Sequence, residues 1–303
     1  MSEILVVGSV AYDSIGTPAG KVESTLGGSA NYFATAASLY AQVNVVGVVG
    51  EDYRSEDLQI LRDRKVNLDG LKQVPGKTFR WTGRYEGGMN EAITMDTQLN
   101  VFANFSPQLP SAYKHSPYVF LANIDPELQL NVLEQIERPK LVGADTMNYW
   151  IDSKLEGLKR LLKRIDFLLI NEGELRRLTG DWNTIAAVKK VVNMGPKAVV
   201  IKRGEYGFVM YTENRFFILP AFPVENVIDP TGAGDTFAGG VFGYLAKTGE
   251  SLSYANLRQA CVHGCLMASF TVQDFGLMAL RNVNWADVEK RQSQYLEIIS
   301  YSI

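Results

Sequence analysis

One stretch decides the fold: Asp229-Pro230-Thr231-Gly232-Ala233-Gly234-Asp235-Thr236-Phe237-Ala238-Gly239-Gly240. Its glycine-flanked turn leads directly into an apolar segment with helical character, so the turn lies at a helix N-terminus. Gly232 and Gly234 permit a tight backbone whose N–H groups can face an anion, and the helix terminus adds partial positive charge. The stretch therefore predicts a site for a phosphate group, or for charge that develops on one.

Asp235 occupies the first turn of that predicted helix, where the helix dipole favours its ionised form. An ionised carboxylate beside an anion hole can accept a proton from a nearby hydroxyl. A plainer interpretation is also open, because glycines often precede helices and Asp is a common capping residue. The turn is not a Walker A loop, since no Gly-Lys-Ser/Thr follows, and Phe237 replaces the third glycine of a dinucleotide fingerprint.

Outward from this stretch, short apolar runs alternate with helical segments, which indicates a largely parallel sheet. The predicted buried strands are Ile4–Val7, Val43–Val49, Val119–Leu121, Leu141–Val142, Phe167–Ile170 and Ala198–Ile201. The predicted helices between them are Ala30–Tyr40, Ser55–Arg64, Leu128–Ile136, Leu155–Leu162 and Thr184–Val192. After Asp229 we expect helices at Ala233–Ala246, Tyr254–Phe270 and Trp285–Ile299.

One region departs from this pattern. Aromatic and polar residues alternate through Thr78–Tyr85, and a mixed run follows at Ala92–Val101, which predicts an antiparallel excursion with one exposed face. The segment Ala11–Leu26 can join it as another hairpin. A small projecting sheet serves as a lid or an oligomer surface in some proteins and is only surface decoration in others, and the pattern favours neither.

Composition narrows the function classes. The 303 residues carry 30 Lys and Arg against 33 Asp and Glu, a net charge of −3, and 46% of residues are hydrophobic, which argues against disorder and against a dedicated nucleic-acid binder. The only two cysteines, Cys261 and Cys265, are expected to be reduced and buried, with His263 turned away from them. No signal peptide or membrane span is apparent, so we expect a cytoplasmic protein without a membrane partner.

The Asp229–Gly240 stretch resembles the C-terminal signature of the PfkB, or ribokinase-like, family of carbohydrate and nucleoside kinases. Leu26–Asn31 is similar to the family's glycine-rich substrate motif, Asn171–Glu174 to its Asn-x-x-Glu motif, and Val199–Gly207 to its nucleotide-binding strand and turn. The resemblance implies a three-layer α/β ribokinase-like fold with a mainly parallel central sheet and a small antiparallel β lid. It further implies one kinase domain over residues 1–303, with lid segments at about 11–26 and 78–101.

The resemblance also assigns roles at the phosphate end. Asp235 would be the general base, and the amides of Gly232, Ala233 and Gly234 would stabilise charge on the transferring phosphoryl group. Asn171 and Glu174 would position Mg²⁺ and the ATP phosphates, with Glu174 acting through water because Mg²⁺ dehydrates reluctantly. The nucleotide would be bound by Lys202, Gly204, Gly207 and Thr231. Asp229 would belong to a site for a monovalent cation such as K⁺.

The acceptor end is less sharply defined. Asp13 is expected to hold substrate hydroxyls, and Gly27 and Gly28 to let the backbone approach the substrate. The family usually has Asn four positions after the second glycine, whereas here Tyr32 occupies that position and Asn31 precedes it, so either residue can be the substrate contact.

The lid and the strand ends supply further candidates. Aromatic lid side chains can stack on a sugar or a nucleobase, and arginines can bind an acidic or phosphorylated sugar, so the acceptor class stays open. The lid candidates are Phe79, Arg80, Trp81, Arg84, Tyr85, Met89, Asn90 and Phe102. Polar residues that follow predicted strands, where α/β sheets bind ligands, are Asn123, Asp125, Asp145 and Asn148.

The sequence therefore predicts an ATP-dependent kinase, a phosphotransferase that uses ATP and Mg²⁺ to phosphorylate a hydroxyl of a small sugar or sugar-like substrate. A nucleoside kinase of the same fold and a non-catalytic sugar- or nucleotide-binding regulator are the alternatives. A nucleotide-dependent oxidoreductase is disfavoured by Phe237. The exposed lid edge also predicts a homodimer formed through the lid.

Overall fold

Two β-sheets organise the chain in a computed structural model that describes residues 2–300. The larger has nine strands in the order β13-β12-β11-β10-β9-β8-β1-β4-β5, and the smaller has four in the order β3-β2-β6-β7. The strands are β1 (Glu3–Val7), β2 (Ala11–Thr17), β3 (Gly20–Gly27), β4 (Gln42–Gly50), β5 (Asn67–Val74), β6 (Phe79–Tyr85), β7 (Ala92–Gln98), β8 (Tyr118–Leu121), β9 (Leu141–Ala144), β10 (Phe167–Asn171), β11 (Ala198–Lys202), β12 (Phe208–Thr212) and β13 (Arg215–Leu219).

The larger sheet is parallel from β5 through β11, and β12 and β13 extend it as an antiparallel hairpin. Every predicted buried strand is part of it. Strands β5, β12 and β13 were not among the predicted runs. Strands β5 and β13 form the two edges of the sheet, and their half-exposed, partly polar sequences lack the continuous apolar run of a strand covered on both faces.

Helices cover both faces of the larger sheet. They are α1 (Ser29–Ala37), α2 (Gln59–Asp63), α3 (Pro126–Gln135), α4 (Asn148–Ser153), α5 (Leu155–Leu162), α6 (Glu172–Thr179), α7 (Thr184–Asn193), α8 (Ala233–Thr248), α9 (Tyr254–Thr271), α10 (Met278–Arg281) and α11 (Trp285–Ile299). Successive residues of β1 belong to two different cores. Ile4 and Val6 pack with α1, α8, α9 and α11, whereas Leu5 and Val7 pack with α3, α5, α6 and α7. This is the three-layer α/β architecture that the sequence predicted.

Two predicted helices are shorter than expected. Helix α1 ends at Ala37, and Tyr40 lies in a following turn closed by its N–H to the Ala37 carbonyl at 2.9 Å. The predicted helix Ser55–Arg64 divides into a 3₁₀ turn, Ser55–Leu58, and the short helix α2. The other predicted helices agree with the structure to within about two residues at each end.

The smaller sheet consists of two antiparallel hairpins, β2–β3 and β6–β7. They are joined side by side through a parallel pairing of β2 with β6, in which Asp13 lies opposite Trp81. All seven residues of the edge strand β7 are exposed, including Ile93 and Met95.

The cysteines have the packing role that the sequence suggested, since Cys261 and Cys265 are both unpaired and buried in α9. His263 lies between the rings of Tyr244 and Trp285 and its Nδ1 is 3.2 Å from the Tyr40 hydroxyl. Within residues 2–300, no helix is long and apolar enough to cross a membrane.

Candidate active site

The carboxyl ends of three neighbouring parallel strands and the N-terminus of α8 converge on one place. Asp145 follows β9, Asn171 and Lys202 end β10 and β11, and Asp235 lies in the first turn of α8. Open α/β sheets bind ligands outside the carboxyl ends of their strands, so this convergence is the candidate active site.

The turn that opens α8 is held from both sides. Gly232 adopts a left-handed conformation (φ 73°), and a side chain there would also collide with the Tyr32 ring. The carboxylate of Asp229 accepts the Thr231 N–H at 2.9 Å through Oδ1 and the Gly276 N–H at 3.0 Å through Oδ2. The turn is thus fixed before any ligand arrives, as an anion hole requires.

Lys202 and Asp145 form an ion pair at the centre of the site. Nζ of Lys202 donates to Asp145 Oδ2 at 2.6 Å, and the exposed fractions of the two side chains are only 18% and 5%. Burial alone would lower the lysine pKa, but Asp145 and Glu174 outweigh it and raise the pKa. A Cβ at Gly234 would stand 3.1 Å from Nζ, so the ammonium lies beside the glycine turn.

Asn171 and Glu174 form a capping box at the start of α6. The Asn171 N–H donates to Glu174 Oε2 at 2.9 Å, and the Glu174 N–H donates to Asn171 Oδ1 at 2.8 Å. Burial, reinforced by Asp145 and opposed by Lys202, raises the pKa of Glu174 to about 7. The box explains the spacing of the two residues and holds the carboxylate next to the ion pair.

Asp235 lies near the same charged groups, Asp145 and Lys202. Burial and the neighbouring Asp145 raise its pKa to about 7, while Lys202 acts in the opposite direction. Three carboxylates therefore surround one ammonium, a donor set of hard oxygens that fits Mg²⁺. Residues 2–300 contain no group of three or more His, Cys, Asp and Glu side chains arranged as direct metal ligands. Oxygen donors of this kind could hold Mg²⁺ through its water ligands, because Mg²⁺ dehydrates reluctantly.

The residues predicted to bind the acceptor lie on β2, β3 and α1. The Asp13 carboxylate lies against Gly27, where a Cβ would collide with it. Burial and then Asp229 raise the pKa of Asp13 to about 7, opposed by the Gly28 amide. Asn31 turns back to its own segment, where its Nδ2 donates to the Gly27 carbonyl at 2.6 Å. Of the two residues that the motif left open, Tyr32 is the one whose ring faces the Gly232 turn.

The lid reaches the phosphate end of the site at two points. The Thr231 hydroxyl donates to the Tyr85 hydroxyl at 3.1 Å, and Asn90 Nδ2 donates to Glu205 Oε1 at 3.0 Å. The second contact covers the 3₁₀ turn Gly204–Tyr206, which Gly207 (φ 83°) ends. The β6–β7 hairpin therefore touches both the helix turn and the predicted nucleotide turn.

The two arginines of β6 have partners outside the site. Arg80 donates to Asp52 Oδ2 at 2.9 Å and to the Ser24 hydroxyl at 3.0 Å. Arg84 is exposed and pairs with Glu86 at 3.2 Å. Both are engaged within or beside the lid sheet, which is the solubilising or structural role that the sequence left open for them.

Of the four polar candidates that follow predicted strands, only Asp145 joins the charge cluster, which consists of Asp145, Glu174, Lys202 and Asp235. Asn123 accepts the Trp150 indole N–H at 2.9 Å, Asp125 caps α3 through the Glu127 N–H at 2.9 Å, and Asn148 begins α4. From the sequence, Asp145 is a candidate without an assigned role. Its position after a buried strand was a signal, although the same signal also marked the three others.

Comparison with known proteins identifies the family. The profile of the pfkB family carbohydrate kinases matches residues 1–283. A cytidine kinase from Thermococcus kodakarensis is 30% identical over 247 residues, covering 79% of this chain and 87% of that protein.

Solved structures confirm the fold. An Escherichia coli protein assigned as ribokinase II, in complex with ATP and Mg²⁺, superposes with a TM-score of 0.80 at 17% identity, covering 97% of this chain and all (100%) of that one. A fructokinase variant from Vibrio cholerae O395 with fructose, ADP and potassium bound gives a TM-score of 0.77 at 21% identity, covering 96% and 98%.

The raised pKa of Asp235 has a measurable consequence for stability. Between the ordinary carboxyl pKa near 4 and the native value of about 7, the native state retains a proton that the unfolded state has lost, so this group's stabilising contribution falls as pH rises. Asp235→Asn removes the effect. In urea unfolding of ligand-free protein, we expect the variant to gain stability over wild type between about pH 5 and pH 8, by at most ~1.4 kcal/mol per pH unit.

Comparison with the variant is necessary because His263, whose burial lowers its pKa to about 4, makes wild-type stability rise with pH over part of the same interval. That contribution cancels when the two proteins are subtracted at each pH. A difference between wild type and Asp235→Asn that stays constant with pH would contradict the raised pKa of Asp235.

Proposed function

Because the chain belongs to the pfkB family of carbohydrate kinases, we propose that it transfers the γ-phosphoryl group of ATP to a hydroxyl of a small, neutral sugar or nucleoside through the site at the N-terminus of α8. Family members phosphorylate hydroxyl groups of sugars and nucleosides, and a phosphotransferase with an alcohol acceptor is what the sequence predicted. The observation that carries the proposal is Asp235 lying beside a fixed glycine turn and a buried ion pair.

The chemistry of the transfer requires positioning and charge stabilisation more than covalent participation. Asp235, in its ionised form, accepts the proton of the attacking hydroxyl as its oxygen bonds to phosphorus. The amides of Gly232, Ala233 and Gly234 face the charge that develops on the phosphoryl oxygens. A pKa near 7 suits Asp235 for this task, because both of its protonation states are accessible at neutral pH.

The nucleotide end of the proposal rests on the charge cluster. Glu174, fixed by the capping box with Asn171, would hold Mg²⁺ through water, and Mg²⁺ would supply neutralisation of the diphosphate leaving group. Lys202, which Asp145 holds beside Gly234, would contact the phosphates at the glycine turn. We assign Lys202 this phosphate contact because its ammonium remains charged despite burial.

Other nucleotide and cation contacts follow from the turns. Gly204 and Gly207 shape the turn that Asn90 covers, and the Thr231 hydroxyl donates to the Tyr85 hydroxyl at 3.1 Å. Asp229 is 1% exposed and its oxygens have only backbone N–H partners among the described residues, so its negative charge would favour a nearby monovalent cation such as K⁺.

A neutral acceptor follows from the charge at the acceptor end. Burial, and then the charges of Asp229 and Asp235, raise the pKa of Asp13 there, so this end of the site disfavours further negative charge. The arginines that could have attracted an acidic or phosphorylated sugar are bound to Asp52 and Glu86. An anionic substrate would therefore meet carboxylates without compensating cations, whereas a sugar hydroxyl can donate to Asp13. Aromatic Trp81 on the same sheet suits either a sugar ring or a nucleobase.

A non-catalytic regulator remains the alternative within this fold. It would bind the same ligands without transferring phosphate, and it would have no need of a carboxylate at position 235. The presence of Asp235 beside Asp145, Glu174 and Lys202 favours the kinase.

The role of Asp235 is tested by Asp235→Asn. Loss of a general base should reduce turnover by roughly 10²–10⁴-fold, while affinity for a non-hydrolysable ATP analogue with Mg²⁺ changes only a few-fold. Turnover is followed by ADP release and affinity by calorimetry. Asp287→Asn is the matched control, because Asp287 occupies the same position in the first turn of α11 and takes part only in a capping box. Turnover of Asp235→Asn within tenfold of wild type would remove Asp235 as the base.

The acceptor class is tested with matched pairs of compounds. We expect ATP-dependent ADP release with one or more of ribose, fructose, myo-inositol, cytidine and inosine, and none with ribose 5-phosphate, fructose 6-phosphate, gluconate or cytidine monophosphate. Products are verified by mass. Preferential phosphorylation of an anionic member of a pair would contradict the neutral-acceptor proposal, and binding without turnover of any member would favour the regulator.

We further propose that two copies associate through the lid. Strand β7 is one of the two edge strands of the small sheet, and its exposed Ile93 and Met95 stand beside the unpaired backbone groups of that edge. A dimeric mass at micromolar concentration that becomes monomeric in Met95→Lys is the expected result, and a monomeric wild type would contradict it.

A further inference from the structure

Gln129 of α3 is a fully buried amide that holds the carboxyl ends of two strands. The residue is 0% exposed, and its Nε2 donates to the carbonyls of Leu121 at 3.1 Å, Ala122 at 2.9 Å and Asp145 at 3.1 Å. Burying an amide is costly unless it is hydrogen-bonded, and here all three bonds go to backbone at the ends of β8 and β9. Asp145 belongs to the charge cluster, so Gln129 has a direct link to the candidate active site.

The three carbonyls lie where β8 and β9 stop pairing. The paired register of the two strands ends at Leu121 opposite Ala144, and β10 also pairs with β9 only as far as Ala144. The Leu121 carbonyl still accepts the Asp145 N–H at 3.0 Å, whereas the carbonyls of Ala122 and Asp145 lie beyond the paired register. Gln129 therefore donates to backbone groups that the strand ladder no longer satisfies.

The bond from the α3 amide completes a set of contacts that holds both the backbone and the carboxylate of Asp145. The Asp145 N–H is held by Leu121, its Oδ1 accepts the Thr146 N–H at 2.9 Å, and its Oδ2 accepts Nζ of Lys202 at 2.6 Å. A shift of the Asp145 backbone would move its carboxylate. The Lys202 ammonium, which lies beside Gly234, would move with it.

The three carbonyls also fix which way the Gln129 amide faces. Carbonyl oxygens only accept hydrogen bonds, so the nitrogen of the amide must face them. The amide oxygen, Oε1, has no hydrogen-bond partner among the described residues. An apolar side chain of similar length, or an ionised carboxylate, would leave the carbonyls without this donor.

A second glutamine of α3 has similar bonds away from the site. Gln135 donates through Nε2 to the Pro107 carbonyl at 2.9 Å and accepts the Leu109 N–H at 3.0 Å through Oε1. Both partners belong to the connection that precedes β8 rather than to the carboxyl ends of the strands. The helix thus offers one amide linked to the charge cluster and one that serves as its comparison.

We propose that Gln129 is a positioning residue for the nucleotide: its amide fixes the backbone of Asp145 and thereby the Lys202 ammonium that would contact the phosphates of ATP. This inference rests on the proposed function, because it takes Lys202 to be a phosphate contact. It extends the site to α3, a helix that supplies no group to the charge cluster itself. Gln129 acts through Asp145.

The test replaces the amide with a side chain of similar length that cannot donate, Gln129→Met. Affinity for a non-hydrolysable ATP analogue with Mg²⁺ is measured by calorimetry, which needs no acceptor. Loss of the donor should weaken nucleotide binding by about tenfold, the equivalent of about one hydrogen bond. With ribose or cytidine as acceptor, the KM for MgATP should rise by a similar factor while the KM for the acceptor stays within about twofold.

Gln135→Met is the matched control, because the same substitution in the same helix removes amide bonds away from the site. Both variants should lower the unfolding midpoint, since each leaves backbone groups without a partner. Only Gln129→Met should change nucleotide affinity.

A double-mutant cycle with Asp145→Asn separates positioning from a general weakening of the fold. If Gln129 acts through Asp145, the two losses of nucleotide affinity do not add. Gln129→Met should then cost little further affinity in a protein that already carries Asp145→Asn.

Gln129→Glu decides the question if Gln129→Met does not fold. Protonated glutamic acid retains one O–H donor, the ionised form has none, and burial against carbonyl oxygens favours the protonated form. Nucleotide affinity relative to wild type should therefore fall as the pH rises from about 6 to about 8.5. Comparison with wild type at each pH allows for the titration of Glu174 and Asp235.

Four results would overturn the inference: unchanged nucleotide affinity in folded Gln129→Met, losses that add fully to those of Asp145→Asn, an equal loss in Gln135→Met, or an affinity ratio of Gln129→Glu to wild type that is constant with pH. Failure of the proposed function looks different, because wild type would then bind the nucleotide analogue but phosphorylate no acceptor, and calorimetry would still decide the role of Gln129. If wild type bound no nucleotide, the inference would fall with the proposed function.

Discussion

The repulsion among Asp145, Glu174 and Asp235 is the constraint on which the rest of the site depends. These carboxylates come from three separate elements that the parallel sheet and α8 bring together, and Lys202 is the ammonium that binds among them. Burial, and then the charge of Asp145, raises the pKa of both Glu174 and Asp235 to about 7, so these carboxyls hold protons to about pH 7 in the ligand-free protein. A divalent cation with its nucleotide would relieve that repulsion and leave Asp235 ionised. In this account, binding of the metal–nucleotide complex ionises Asp235, which can then accept the proton of the acceptor hydroxyl.

At the proposed acceptor end, carboxylate charge determines which class of substrate is favoured. Asp13 lies against Gly27 and shares its surroundings with Asp229, while the arginines of the lid are engaged by partners outside the site. A neutral polyhydroxyl compound satisfies carboxylates by donating hydrogen bonds, whereas these carboxylates would repel a phosphate or carboxylate group on an anionic compound. The lid touches Thr231 through Tyr85 and Glu205 through Asn90. The β6–β7 hairpin therefore bridges the turn that opens α8 and the turn that follows β11.

Much of this could be predicted from the sequence because it is local. The start of α8 at Ala233, the alternation of buried strands and helices, and the capping relation between Asn171 and Glu174 all depend on residues close together in the chain. The pairing of Asp145 with Lys202 could not be predicted, because the two are 57 positions apart and meet only when their strands are placed in register. Which of Asn31 and Tyr32 faces the Gly232 turn could not be predicted either, because it depends on the rotation of α1 about its axis.

Calorimetric titration of the ligand-free protein with a non-hydrolysable ATP analogue and excess Mg²⁺ tests the central claim most directly. Repeating the titration in buffers of different ionisation enthalpy measures the protons released. If crowded carboxylates hold protons that the metal–nucleotide complex displaces, binding near pH 6 releases about one proton or more, and the release disappears near pH 8.5. Binding that releases no protons near pH 6, or releases the same number at both pH values, would contradict the account.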